Sequence, residues 1–252
     1  MSNPAPPLSF DAAADAAGEA VEEALSVVVR SAARSPDPER AVRDGMPRVH
    51  RRLQVFVERT FAANPERPVH CKAGCATCCH QWVHDVRAHE IDALGRHLVK
   101  AGEAESVQDA LRERLAAYRA IERRHPDSGR EADPQLTRAL AYLEQGRPCV
   151  FLDEAGGCRV YALRPWVCRT YFSLAPPERC RAEALRSGAG RGLFLEPFSG
   201  VDEALDAAAA PFAEPGYTGE LVRDLLTWLS GPRRGGAPSA RRSSPRSRGR
   251  AR

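Results

Sequence analysis

The strongest constraint on this chain comes from its cysteines. Four of them fall within nine residues, at Cys71, Cys75, Cys78 and Cys79. Four more follow far downstream, at Cys149, Cys158, Cys168 and Cys180. Thiolate is the soft ligand that selects zinc, copper(I) or iron–sulfur clusters, and close spacing lowers the entropic cost of gathering several thiolates around one centre. The pattern predicts a metal site, with all eight cysteines as candidate ligands.

Core packing and disulfide bonding account less well for these cysteines. Isolated cysteines are often small buried hydrophobic residues, but core residues are not expected to cluster in this way. Disulfide frameworks belong to short secreted chains, whereas residues 1–20 have neither a basic leader nor an apolar run, so no signal peptide is expected. Because no segment approaches the length of a membrane span, we expect no membrane partner and a cytoplasmic location, where thiols stay reduced.

The charge of the chain is unevenly distributed. Residues 231–252 contain eight arginines and no acidic residue, and without them the chain has 29 basic against 33 acidic residues. The same segment is poor in apolar residues, which predicts a disordered Arg-rich C-terminal tail. Such a tail can bind phosphate backbones without sequence preference, so nucleic acid is a candidate partner through the tail alone. No protein or small-molecule partner can be identified from the sequence.

Apolar residues recur mainly with a helical period, so the predicted fold class is mostly α. Two helices are expected before the first cysteines, three between Ile91 and Gly146, and two more at 201–209 and 218–229. Asp133-Pro134 marks the start of the last of the three central helices. The expected organisation is an N-terminal helical segment over 1–64, packed with a cysteine-cluster metal-binding domain over 65–230, followed by the tail.

The downstream cysteines lie in a segment where the helical pattern of apolar residues gives way to short apolar runs. Residues 149–161 contain two short apolar runs around a Gly-Gly turn, which predicts a small β-hairpin with Cys149 and Cys158 on its two arms. A tight helical turn is expected at 163–169 around Cys168, and a short helix at 177–185 carries Cys180. We expect this segment to fold against Cys71–Cys79, so that both cysteine groups meet at one metal site.

The spacing of the first group suits metal chelation. In Cys75-x2-Cys78 the two intervening residues let both sulfurs converge on one centre, and Cys71 adds a third thiolate. Either a helix or a loop turning at Gly74 would bring these three together. Cys78 and Cys79 are adjacent, so we do not expect both to bind the same metal ion. One 4Fe–4S cluster with spare thiols or two four-thiolate zinc sites would use this set, and the double cysteine favours the cluster.

The spacing Cys71-x3-Cys75-x2-Cys78 also resembles the radical S-adenosylmethionine signature. That family places an aromatic residue before its third cysteine, where this chain has Thr77. The family also builds a barrel of alternating strands and helices, for which the sequence shows no pattern. Such an enzyme is therefore the least favoured alternative.

A closer resemblance covers both cysteine groups. The residues that carry it are Cys71–Cys79, the stretch 147–169 with its Arg164-Pro165-x2-Cys168-Arg169, and the trailing Ser173 and Cys180. This pattern is similar to the CxxCxxCC or YkgJ-like family of zinc- or iron-chelating domains. Glu90 falls where members of that family often have a glutamate. The first spacing has three residues where the family name implies two, so Cys75, Cys78 and Cys79 are the closer equivalents. A flagellin lysine methylase with a similar cluster is taken to use an iron–sulfur centre.

The resemblance implies metal chelation but no agreed reaction. We expect an iron–sulfur cluster, with Zn²⁺ as the alternative, in an oxidoreductase or a methylase-like component. A structural zinc module that presents a helical surface to a partner is the other class. No catalytic triad, phosphate loop or dinucleotide motif is present in the sequence.

Several residues near the cysteines are weaker candidates. Arg164 and Arg169 flank Cys168 and could offset thiolate charge, donate to cluster sulfur or bind an anion. Tyr161 and Trp166 are expected to shield the site from water, and Asp85 and Glu90 to be solvated charges at a helix start. Nitrogen ligands are less expected with thiolates in excess, and three histidines lie close enough in sequence to be considered: His70, His80 and His84.

Overall fold

A computed structural model describes residues 8–67, 69–72, 74–127, 133–188, 190 and 192–231. Except for Gly231, the predicted disordered tail lies outside these residues. The described part is mostly helical, as predicted. Its α-helices are α1 (Ala12–Arg34), α2 (Pro38–Ala62), α3 (Ala88–Ala101), α4 (Ala104–Arg124), α5 (Pro134–Glu144), α6 (Trp166–Thr170), α7 (Ala182–Arg186), α8 (Val201–Ala209) and α9 (Leu221–Ser230).

The helix ends follow from local capping. The Asp11 carboxylate accepts from the N–H groups of Ala13 and Ala14 at the start of α1. Asp133 accepts from Leu136 N–H, and Pro134 takes the first position of α5 as its fixed φ favours. None of these described helices combines the length and the apolar character needed to cross a membrane.

The first hydrophobic cluster joins the two long N-terminal helices to α8. Its fully buried members include Val21 and Leu25 of α1, Leu53 of α2 and Leu205 of α8. The two long helices approach closely at Gly45, where a β-carbon would lie 2.5 Å from Val28 Cγ2. We call this group the N-terminal cluster. It also contains Trp166, so the short helix that carries Cys168 is anchored on it.

The second hydrophobic cluster, which we call the central cluster, is built from α3, α4 and α9. Leu94, Leu111 and Leu225 are fully buried there. Trp82, just after the first cysteines, stacks on Tyr118 with ring centroids 3.9 Å apart. Cys149 and Cys158 pack against the same cluster, which places part of the downstream cysteine group on its surface.

The described part contains a two-stranded antiparallel sheet, but it does not lie where the hairpin was predicted. Strand β1 (Tyr171–Ser173) pairs with β2 (Gly192–Phe194), with Phe172 opposite Leu193. The predicted hairpin at 149–161 is reduced to one bridge pair, Leu152 with Cys158. The segment turns repeatedly, so its apolar residues point into the central cluster without forming a ladder. The helix predicted at 177–185 is likewise broken into a 3₁₀ turn, Pro177–Cys180, and α7.

Candidate metal centre

The first cysteine group lies on a loop. The backbone turns at Gly74, whose φ of 83° is in the left-handed region that glycine adopts without strain. Cys75 N–H donates to the Lys72 carbonyl at 2.9 Å, and a 3₁₀ turn then runs over Thr77–His80 with Cys78 and Cys79 inside it. Of the two predicted geometries, the loop is therefore the one observed.

The second group is carried by a folded loop and a short helix. The Leu152–Cys158 bridge and the bond from Arg159 N–H to the Phe151 carbonyl, 2.8 Å, bring Cys158 back towards Cys149. Cys168 is in the middle of α6, and Cys180 ends the 3₁₀ turn that follows β1. The eight cysteines are all free thiols and all half-buried.

Backbone contacts bring the two groups together. Cys149 N–H donates to the Cys79 carbonyl at 2.6 Å, although the two residues are distant in sequence. Ser173 N–H donates to Cys71 Sγ at 3.2 Å. The 3₁₀ turn of Cys78 and Cys79 lies against the 3₁₀ turn of Cys180. The predicted meeting of the two groups is thus present in the fold.

Two glycines permit a further contact between the groups. Gly156, with a φ of 78°, lies so close to Gly74 that a β-carbon on it would be 2.8 Å from the Gly74 carbonyl oxygen. Any larger residue at Gly156 would push the two loops apart. The Gly-Gly pair indicates only a turn in the sequence, and its role in docking the loops was not predicted.

The thiols influence each other's ionisation. Burial raises the pKa of Cys71, and the thiolates of Cys78, Cys75 and Cys180 raise it further. Burial also raises the pKa of Cys149 to about 11, with a further contribution from Cys158. Because neighbouring thiolates repel one another, a bound cation would stabilise the deprotonated group.

The adjacent cysteines Cys78 and Cys79 have pKa shifts in opposite directions. Cys78 donates a hydrogen bond to Cys79, which raises the pKa of Cys78 and lowers that of Cys79. Burial and then the charge of Cys149 raise the pKa of Cys168. These interactions connect cysteines from both groups.

Comparison with known protein families identifies this region. A family model with the description "CxxCxxCC: Putative zinc- or iron-chelating domain" matches residues 70–185. These residues form a CxxCxxCC domain. The match contains all eight cysteines and leaves α1, α2, α8 and α9 outside it. No curated protein and no solved structure matches the chain.

The donor set of the CxxCxxCC domain fits the metals in this description. Thiolates bind both zinc and iron–sulfur clusters, and free thiols are what the region gathers. Within the described residues, no three His, Cys, Asp or Glu side chains already have an arrangement that would hold a metal ion. The backbone contacts place the two cysteine groups next to each other.

The two arginines that flank Cys168, Arg164 and Arg169, bind backbone carbonyls. The Arg164 guanidinium donates to the Cys168 carbonyl, and its charge makes a smaller, lowering contribution to the pKa of Cys78, Cys79 and Cys168. Arg169 donates to the carbonyls of Arg164, Tyr161 and Ala162 at 2.7–3.1 Å. Arg164 therefore faces the thiols, whereas Arg169 mainly fixes the turn before α6.

Glu90 is buried, and the expectation that it would be solvated is wrong. Only 3% of its surface is exposed. Its carboxylate accepts from Arg87 N–H at 2.8 Å and from Trp166 N–H at 2.5 Å. Burial nevertheless raises its pKa to about 7. Glu90 thus joins α3 to the first residue of α6, two positions before Cys168, while Asp85 is exposed as expected.

The histidines and aromatic residues have other roles than the site. His80 Nδ1 is 3.1 Å from the Ala76 carbonyl, and His84 Nδ1 is 3.8 Å from a Glu220 carboxylate oxygen. His70 contributes its backbone N–H, which donates to Ser173 O. Trp166 is buried as expected, but Tyr161 is 56% exposed and stacks with Arg164, so it does not shield the site. The Ser173 N–H that reaches Cys71 was not predicted, because backbone donors leave no sequence signal.

Proposed function

We propose that the CxxCxxCC domain binds an iron–sulfur cluster of the 4Fe–4S type through thiolates of both cysteine groups. The hydrogen bond from Cys149 N–H to the Cys79 carbonyl carries the proposal, because it fixes the downstream group beside the double cysteine. The candidate ligands are the eight cysteines named above. Such a cluster would supply one-electron chemistry or a Lewis-acidic iron.

Two observations favour iron–sulfur over zinc. The first group combines spacings of three, two and zero residues, whereas structural zinc usually uses two Cys-x2-Cys pairs. In addition, Arg164 places a fixed positive charge near Cys78, Cys79 and Cys168. A charge of this kind stabilises a thiolate-ligated cluster and tunes its potential.

A structural zinc centre is the second candidate. The cysteine loops contain little regular secondary structure and are held by contacts between segments, as in domains that depend on a structural metal. In that case the protein would act as an interaction module. The described part contains two short strands, far from the barrel of a radical S-adenosylmethionine enzyme.

Metal and sulfide measurements on anaerobically isolated protein test the proposal. An iron–sulfur protein is expected to be brown, with sulfur-to-iron charge-transfer bands and with iron and acid-labile sulfide in equal amounts. Colourless protein with stoichiometric zinc would reject the cluster and support the structural module. Protein that contains neither metal when fresh, and binds neither after reduction, would overturn metal binding altogether.

A further inference from the structure

The short helix that carries Cys168 has no capping side chain of its own. This helix, α6, consists of Trp166–Thr170, and a helix of this length is marginal without contacts to other elements. Its N-cap residue is Pro165, which makes no side-chain hydrogen bond to the first N–H groups of the helix. Another part of the chain has to supply an acceptor for these groups if they are buried.

Glu90 of α3 supplies this acceptor from the interior of the fold. Its Oε1 accepts from the Trp166 N–H at 2.5 Å, across 76 residues of sequence, and both residues are buried. A buried N–H that loses its acceptor is costly, because water cannot reach it, so the bond fixes the first residue of α6. Cys168 lies two positions further along the same helix, and its backbone is therefore fixed with that of Trp166.

The carboxylate of Glu90 is itself held in place. Its second oxygen, Oε2, accepts from the Arg87 N–H at 2.8 Å, at the start of α3. The Arg87 guanidinium donates to Asp202 at 2.6 Å and to Asp206 at 3.2 Å, both on α8. The carboxylate cannot turn away from Trp166 without also breaking its bond to Arg87 N–H, so α6 is tied to a rigid part of the fold.

The side chains of α6 make its rotation depend on this bond. The Trp166 ring is buried in the N-terminal cluster, while Val167 packs against the central cluster. Successive residues of a helix point about 100° apart, so the direction of Cys168 follows from the placement of these two neighbours. On the other side, the Arg164 guanidinium donates to the Cys168 carbonyl. A shift of Trp166 would therefore turn the Cys168 thiol.

We propose that Glu90 is a positioning residue for the metal centre and keeps Cys168 among the ligands through the Trp166 N–H. Its carboxylate is bonded to two backbone N–H groups and acts on the thiol through α6 rather than on the metal. The inference rests on the proposed function, in which Cys168 is a ligand. It makes metal binding depend on a side chain outside the two cysteine groups.

Alkylation of zinc-loaded protein with N-ethylmaleimide, mapped by mass spectrometry, tests this role at Cys168 itself. The reduced, metal-free full chain is loaded with Zn²⁺, and protection of each cysteine is measured against the metal-free protein. Cys168 should be protected in the wild type. In Glu90→Ala it should react about 10- to 100-fold faster, because the Trp166 N–H has lost its acceptor. Cys149 should stay protected, since its bond to the Cys79 carbonyl is unchanged.

Two further variants separate positioning from a general loss of stability. Glu90→Gln keeps a side-chain carbonyl that can accept from the Trp166 N–H, so Cys168 should react faster than in the wild type but more slowly than in Glu90→Ala. Leu98 is 1% exposed and lies on the same helix, about 12 Å beyond Glu90. Leu98→Ala should lower the resistance to denaturant and leave Cys168 protected. Circular dichroism shows whether each variant keeps its helices.

The outcomes distinguish this inference from the proposed function. Equal exposure of all cysteines in Glu90→Ala, or selective exposure of Cys168 in Leu98→Ala, would show a structural role only and overturn the inference. So would a zinc-loaded wild type in which Cys168 alone reacts as in the metal-free protein. If Glu90→Ala does not fold, Glu90→Gln decides, and wild-type protection of Cys168 there would overturn the inference. A wild type that binds neither zinc nor an iron–sulfur cluster would overturn the proposed function itself.

Discussion

The paired N-terminal helices and the cysteine loops are stabilised by different interactions. In α1 and α2 the residues Val21, Leu25, Val42 and Val49 are completely buried. In the described part of 69–87, the buried apolar residues are Trp82 and Val86, and the cysteines are half-buried. Apolar burial can stabilise the helices without help. The loops rely on backbone contacts such as Cys149 to Cys79, and they need a further interaction, which we propose to be the metal.

Metal removal should give the largest difference between the two regions. Structural metal sites supply several kcal/mol of folding free energy, so loss of the metal should raise amide exchange in the cysteine loops by at least about 100-fold. Exchange in α1 and α2 should change little. Hydrogen–deuterium exchange of loaded and chelator-treated protein measures both regions in one experiment. Equal loosening of the N-terminal helices would show that the comparison is wrong.

A cavity in the N-terminal cluster should have the opposite effect. Leu53 is 1% exposed, and Leu53→Ala is expected to lower the free energy of unfolding by about 2–5 kcal/mol. Metal content should be unchanged, because Leu53 is not in a cysteine loop. Val55→Ala on the same helix, where the side chain is 42% exposed, is the control and should cost about 0.5 kcal/mol or less. Chemical denaturation and metal measurements on the three proteins test this separation.

The helices could be predicted because their signals are local. The apolar stripes of α1 to α4 and the Asp133-Pro134 start of α5 depend on residues within a few turns, and the structure confirms these helices. Ser106, with Asp109 three residues on, is a capping-box-like start signal in the sequence, but α4 already begins at Ala104. Such shifts of a few residues reflect the weakness of individual cap signals.

The site could be predicted only as a set of residue types. Cysteine spacing identified the candidates, but the contacts that bring them together use backbone donors from distant segments, such as the Ser173 N–H that reaches Cys71 Sγ. The burial of Glu90 was missed for a related reason. Its partner Trp166 lies 76 residues away and contributes a backbone N–H, which has no side-chain signature.

The start of α3, where His89 packs against Phe212 of the N-terminal cluster, should be sensitive to acid. His89 is 4% exposed, neither ring nitrogen has a partner in the described part, and burial lowers its pKa to about 4. Between pH 6.5 and about 4 the unfolded chain therefore binds a proton that the folded chain does not. Stability contributed by neutral His89 is fully present above pH 6.5 and is lost as the pH falls, by about 3 kcal/mol at pH 4.

His89→Phe tests this expectation, because it keeps a ring at the position and loses no hydrogen bond. Denaturation curves between pH 4 and pH 7 should show a smaller loss of stability in acid for the variant than for wild type. His97→Phe, at an exposed position of the same helix, should keep the wild-type slope. An unchanged slope in His89→Phe would mean that the imidazole is protonated in the folded protein, and that its surroundings are more open to water than its burial indicates.

The smallest expected effect concerns the contact between the two glycine turns. Gly156→Ala introduces a β-carbon 2.8 Å from the Gly74 carbonyl oxygen, whereas at Gly146, whose φ is also positive at 63°, a β-carbon meets nothing within 4 Å. Both substitutions carry the left-handed strain of about 1 kcal/mol, which therefore cancels when the two variants are compared. The remaining cost at Gly156, about 1–2 kcal/mol, comes from separating the loops.

Measurements of zinc affinity show whether moving the two glycine loops apart also displaces the cysteines. Because Gly74 lies between Cys71 and Cys75, displacement of its loop should weaken zinc binding in Gly156→Ala and leave it unchanged in Gly146→Ala. Competition with a chromophoric chelator measures both variants, and equal affinities would contradict the role of the glycine contact.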